Sequence, residues 1–388
     1  MLYPWIDWQR AGLETWLAAA DRVSAGPPAD PLAAGRELLA RTLAATELRE
    51  RPIEDAVRRD SRFALEAREV AATPFVRLVH LRRPGGPRRR FVMVAAHSGY
   101  AAAVASPLIA ELLALGEVVV TDWIDARLVP ASAGTFTLDH QMATVMAAAA
   151  TLAAPAHLVA LSQAGPAALA AAALLAAGHP RLAPASLTFL GCVLDPRVAP
   201  TPLQRAVAHA PPDLLETTLT TRVGAPHPGA GRRVYPALLQ LVGYGMASPG
   251  LYLEIQQGLL REIAAGEAGG YARQHGDLHS LLDVPAELFL ETLDWVRAGE
   301  FDGAALRLGT TAHDLTALRS IPMQTVEAGS DELVGPGQTH AGGHVSGRAV
   351  APTLIGARHH DLFTGPGFAA RVAPLLHRFV HNLAPDGQ

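Results

Sequence analysis

The sequence predicts a doubly wound α/β fold: a mainly parallel sheet covered by helices on both faces, with a mostly helical segment inserted late in the chain. Three observations carry this. Strand-like and helix-like stretches alternate from residue 74 to residue 191, as they must when parallel strands are joined by crossover helices. The rhythm stops between residues 196 and 310 and strands resume after it, at 323–327 and 353–355. In the middle of the first series a short apolar run, His157-Leu158-Val159-Ala160-Leu161, ends in Ser162 and passes straight into an alanine-rich helix.

Residues 1–60 read as a helical arm, with Leu2, Trp5, Ile6, Leu13, Trp16 and Leu17 at roughly helical spacing. Three of the chain's five tryptophans fall in the first sixteen residues. They are expected to pack the arm on the core, the alternative being an amphipathic arm that lies on a hydrophobic surface. The first part of the α/β core, residues 61–195, has strands at 74–81, 90–96 and 117–121, each bounded by Gly, Pro or charged turns. Helices are expected at 107–115, 138–153 and 164–177, and a further strand at 186–191. In residues 196–310, Pro200, Pro202, Pro211, Pro212, Pro226 and Pro228 mark loops, with helices near 238–241, 251–263 and 286–298. This is the expected cap or lid. The core returns over 311–388 and closes with a helix at 367–383 whose apolar residues, Phe368, Val372, Leu375, Leu376, Phe379 and Val380, share one side.

Composition narrows the function. With 388 residues, 49% hydrophobic and 18% charged, the chain can bury a large core. A net charge of −4, from 32 basic and 36 acidic residues, gives no electrostatic case for nucleic acid as partner. Cys192 stands alone, so there is no internal disulfide and no multi-cysteine metal site, which suits a reducing cytoplasm. The first ten residues lack the basic start and apolar run of a secretory signal, and no stretch is both long and apolar enough to cross a membrane.

The chemistry gathers at Ser162. A serine on a sharp strand-to-helix turn, flanked two positions away by the small residues Ala160 and Ala164, reads as a nucleophile elbow; the competing reading is a serine that merely caps a helix. Pro166 suits the first helical turn. A serine nucleophile needs a base and a carboxylate to orient that base. In an α/β-hydrolase fold they follow in the order nucleophile, acid, histidine, on loops after late strands. Asp331 and His359 stand in those places, with Glu332 and His360 as rivals one position away. The oxyanion hole is expected from the backbone N–H of Gln163 and one from Gly99 or Tyr100, in the loop His97-Ser98-Gly99-Tyr100. His275, Asp277 and His279 have helical metal-ligand spacing without the Glu of an H-E-x-x-H site and are read as a solvated helix face, so no metal is expected. Cys192 reads as a small buried hydrophobe.

Taken together, these residues resemble the intracellular polyhydroxybutyrate depolymerases over most of the chain. The resemblance is carried by Ser98-Gly99, the run from Thr121 through Asp122, Trp123, Asp125, Ala126 and Arg127 to Pro130, the Ser162-Gln163 elbow, Gly231 to Pro236, Asp283 to Glu287, Gly335-Pro336-Gly337-Gln338-Thr339 and the His359 loop. It implies a cofactor-free hydrolase of stored poly-3-hydroxyalkanoate, acting at granules in a bacterial cytoplasm, with Ser162, Asp331 and His359 as nucleophile, acid and base. It departs from the family in two places: Ser162 replaces the usual cysteine, and His360 the usual tyrosine. Arg127 with Asp122 and Asp125 is assigned to holding the loop near the active face, or to a structural ion pair. A soluble-ester carboxylesterase, a polymer synthase-like acyl transferase and a non-catalytic granule-coat protein are the rival readings, and the chain could self-associate as a homo-oligomer.

Overall fold

The computed structural model describes residues 2–23, 31–47, 51–267 and 269–383. Its centre is a sheet of nine strands: β1 (Glu66–Thr73), β2 (Val76–Arg82), β3 (Arg89–Val94), β4 (Gly116–Trp123), β5 (His157–Leu161), β6 (Ser186–Leu190), β7 (Met323–Ala328), β8 (Ala349–Val350) and β9 (Thr353–Leu354). They lie in the order β1-β2-β4-β3-β5-β6-β7-β8, with β9 also pairing β7. From β4 onward every pairing is parallel, whereas β1–β2 and β2–β4 are antiparallel. Helices Ser106–Leu115, Leu138–Leu152, Gly165–Gly178 and Ala373–His381 cover the sheet. This is the α/β-hydrolase fold.

The central strands are mostly apolar because both faces are covered; every residue of β5 and β6 is buried. Edge strand β1 went unread in the sequence for the converse reason. Glu-Ala-Arg-Glu-Val-Ala-Ala-Thr has neither alternation nor an apolar run, and its residues are exposed or half-buried. It is held by its hairpin with β2 rather than by burial. The expected last strand is also smaller than expected, with only Thr353 and Leu354 in β9 and Ile355 83% exposed.

Between β6 and β7 the chain carries helices Pro202–His209, Pro212–Leu219, Ala237–Ala247, Pro249–Ala265, Gly270–His279 and Ala286–Ala298. Two small antiparallel sheets, which the mostly helical expectation did not include, accompany them: Thr221–Arg222 with Arg233–Tyr235 and Val284–Pro285 among the helices, and Glu300–Phe301 with Ala305–Leu308 and Thr311–Asp314 after the last one. The second turns tightly at Gly309, whose φ of +55° a side chain would strain.

At the amino-terminal end, helices Leu2–Val23, Pro31–Ala45 and Ile53–Asp60 form the expected arm residues. The tryptophans do not pack on the core as expected: Trp5, Trp8 and Trp16 are 52%, 70% and 54% exposed. Tyr3 anchors the helix instead, buried with Ala126, Val223 and Val234.

Candidate active site

Ser162 leaves β5 with φ +51°, one of three non-glycine residues with positive φ among those described. Such a conformation costs about 1–3 kcal/mol and persists only where the surroundings impose it. Here they do, since β5 is wholly buried and the following helix, Gly165–Gly178, has ten buried residues. Ala160 and Ala164 are fully buried. Gly165 matters as much, because a Cβ there would lie 2.5 Å from the Cβ of Cys192. Cys192 is a buried free thiol, as expected, its pKa pushed up by burial.

The three side chains expected to work together meet. His359, in the turn after β9, places Nε2 2.9 Å from Ser162 Oγ and Nδ1 2.8 Å from Asp331 Oδ2. Asp331 Oδ1 accepts from the backbone N–H of Leu333 and Val334, both at 2.9 Å, so its orientation is fixed. Gly191, with φ +56°, leaves room for the imidazole; a Cβ there would stand 3.1 Å from His359 Cε1. Burial works against a charge on His359, but the Asp331 carboxylate outweighs it and raises its pKa above the ordinary 6.5. Burial likewise opposes the Asp331 charge, and His359 with the two N–H donors brings its pKa below the usual range. His360 turns away, packing against the rings of Tyr244 and Phe363, and burial with the neighbouring His359 lowers its pKa to about 4. Neither His360 nor Glu332 hydrogen-bonds to Ser162 or His359 among the described residues.

The loop after β3 corrects one expectation. The Tyr100 N–H donates to the Ser280 carbonyl at 3.1 Å, so it is unavailable to an oxyanion. With the Gln163 amide oriented by its donors, its side-chain oxygen accepts from the N–H of His97 and of Ser98, both at 2.8 Å. In this loop Gly99 is left with no acceptor for its N–H among the described residues, and a Cβ there would come within 3.1 Å of Val104. Gly99 and the Gln163 backbone are therefore the donors left of those expected. The Gln163 side chain, which ties elbow to loop, gave no signal in the sequence beyond its place after Ser162.

Tyr244 was also missed. It lies on helix Ala237–Ala247, its ring 5.7 Å from that of His360. Burial and the charges of Glu332 and Asp331 raise its pKa, so the phenol keeps its proton.

Arg127 pairs with Asp125 at 2.7 Å and lies 3.6 Å from Asp283. Asp122 does not join them. It faces Arg77, its cross-strand partner on β2, at 3.4 Å. Asp283 Oδ1 accepts from the Ala237 N–H at 2.9 Å, so the cluster joins the end of β4 to the start of the helix that carries Tyr244. His275 and His279 are not on a solvated face: both are buried, their rings 4.1 Å apart, with His275 bonded to Thr42 and His279 to the His275 carbonyl. Asp277 lies 3.8 Å from Arg273.

Residues 191–384 match the model of a family described as PHB de-polymerase C-terminus. No curated protein matches the chain. Solved structures are similar at low identity. One is 2-hydroxy-6-oxo-6-phenylhexa-2,4-dienoate hydrolase from Rhodococcus sp. strain RHA1, at 14% identity and TM-score 0.46, covering 82% of this chain and 100% of that one. Another is the esterase RhEst1 from Rhodococcus sp. ECU1013, at 14% and 0.48, covering 82% and 99%. A third is naproxen esterase from Bacillus subtilis, at 12% and 0.44, covering 88% and 98%.

Proposed function

The chain belongs to the PHB depolymerase family, and from that premise we propose that it is a serine ester hydrolase that cleaves intracellular poly(3-hydroxybutyrate) or a related polyhydroxyalkanoate to hydroxyacid oligomers or monomers. The observation that carries the reading is the unbroken hydrogen-bond chain from Ser162 through His359 to Asp331, at 2.9 and 2.8 Å, with the serine on a strained positive-φ turn. In this mechanism Ser162 Oγ attacks the ester carbonyl while His359 Nε2 takes its proton, and Asp331 stabilises the imidazolium. The N–H groups of Gln163 and Gly99 receive the oxyanion. His359 then protonates the departing hydroxyl, and a water deprotonated by the same nitrogen releases the acyl group. Serine is hardly ionised alone, so its reactivity rests on the His359 contact more completely than a cysteine's would.

Residues 196–310 act in this reading as a cap over the site, and residues 1–60, with their exposed tryptophans, as an arm on the granule surface in the cytoplasm. No helix among the described residues is long and apolar enough to cross a membrane. The test is release of 3-hydroxybutyrate from amorphous granules by the purified chain, beside Ser162→Ala and a short soluble ester. We expect acid release that falls at least about a thousandfold in the variant. Hydrolysis of the soluble ester alone would make the chain a carboxylesterase instead.

A further inference from the structure

The loop expected to hold the oxyanion does not hold itself. Residues 97–100 belong to none of the strands of the sheet, and Gly99, whose N–H is left for the oxyanion, is the residue type least restrained by its own backbone. Contacts from outside fix it on two sides. On one, the Gln163 side-chain oxygen accepts from the N–H of His97 and of Ser98, both at 2.8 Å. On the other, the segment after helix Gly270–His279 runs antiparallel to the loop. The Tyr100 N–H donates to the Ser280 carbonyl and the Leu282 N–H to the Ser98 carbonyl, each at 3.1 Å, with Gly99 opposite Leu281. Residues paired between two such bonds turn their own N–H and C=O away from the facing segment. The bridge therefore pins Gly99 while keeping its N–H off Leu281.

The facing segment has an anchor of its own in Arg51. Its Nη1 donates to Ser280 Oγ at 2.8 Å, and its Nη2 donates to the Ala45 carbonyl, at the end of helix Pro31–Ala45. The guanidinium carbon stands 5.0 Å from the centre of the Tyr100 ring, within cation–π range. One side chain thus touches both residues of the Tyr100–Ser280 hydrogen bond, next to the Gly99 donor. Ser280 Oγ also donates to the Gly276 carbonyl at 2.6 Å, so the hydroxyl that Arg51 grips is itself oriented by helix Gly270–His279. Filling the core is not what this contact does. Arg51 and Ser280 line a cavity of about 480 Å³ that Asp60, Ser106 and Arg273 also border. Shortening Arg51 would widen that space rather than leave a void among packed side chains. What it would loosen is the seat of the oxyanion donor.

We propose that Arg51 is a positioning residue for ester hydrolysis: by locking Tyr100 to Ser280 it sets the Gly99 N–H where the oxyanion forms beside Ser162. This rests on the ester-hydrolase reading, in which the Gly99 and Gln163 N–H groups receive that oxyanion. Such a donor acts in the transition state, so displacing it lowers kcat and leaves KM nearly alone. With the full chain and p-nitrophenyl butyrate, Arg51→Gln should lower kcat about tenfold or more, short of the roughly 10²–10³ that follows outright loss of a donor. KM should stay within about twofold. Ser280→Ala keeps the carbonyl that binds Tyr100 and removes only the hydroxyl that Arg51 grips. It should lose a similar factor, and the double variant little more, because both changes break one contact. An unchanged kcat, a loss carried by KM, or losses that multiply in the double variant would overturn the inference. A second readout needs no turnover. Amide hydrogen exchange over residues 97–104 should quicken about threefold or more in full-length Arg51→Gln, and unchanged exchange there overturns the inference as well. Absence of any ester hydrolysis by the unmodified chain would sink the hydrolase reading itself, while the exchange difference would still decide whether Arg51 seats the loop.

Discussion

His359 carries the acid limb of any activity at this site. Its pKa is raised by Asp331 above 6.5, and only the neutral imidazole can take the Ser162 proton, so the rate should climb with pH through that raised value and then level off. A profile of kcat/KM against pH checks it. In Asp331→Asn the limb should move to lower pH, because the charge that raised it is gone, while the rate drops by about three to four orders of magnitude. That Asp331 and His359 would meet at Ser162 was legible in the sequence because each sits in a loop just past a late strand. The oxyanion loop was legible only in part. Nothing local shows that Tyr100 spends its N–H on Ser280, a residue 180 positions away.

Among the elements, the join between the end of β4 and helix Ala237–Ala247 is the one whose strength can be weighed. Asp125 and Asp283 are buried and Arg127 is the cation between them. Removing one partner leaves the others' charge stranded in a poor solvent, so Arg127→Ala should lower stability by about 3–5 kcal/mol, read from the urea midpoint. The sequence made this cluster visible as a motif but joined two separate pairs: Asp122, on the strand, lies directly opposite Arg77 on β2, while Asp125, beyond the strand's end, turns back to Arg127. Elsewhere, elements were readable when burial imposed a pattern, as in β5 and the alanine helix after it. They were lost when it did not, as in the polar edge strand β1 and the short hairpin at 305–314.

At the scale of the whole molecule, the sheet's apolar middle and the interruption before β7 were enough to predict the fold, while the seating of the segment between β6 and β7 depended on contacts between residues far apart in sequence. The one cysteine sits where these layers meet. Cys192 is fully buried and lies under Gly165, at the first turn of the helix that leaves the elbow. A thiol reagent should therefore leave the native enzyme active and should label Cys192 only as fast as the surrounding layers part. With the labelling rate followed against urea, native protection should collapse in the same transition as ester hydrolysis if elbow and core open as one unit. The lone sulfur is thus a built-in clock for how often the nucleophile's platform comes apart.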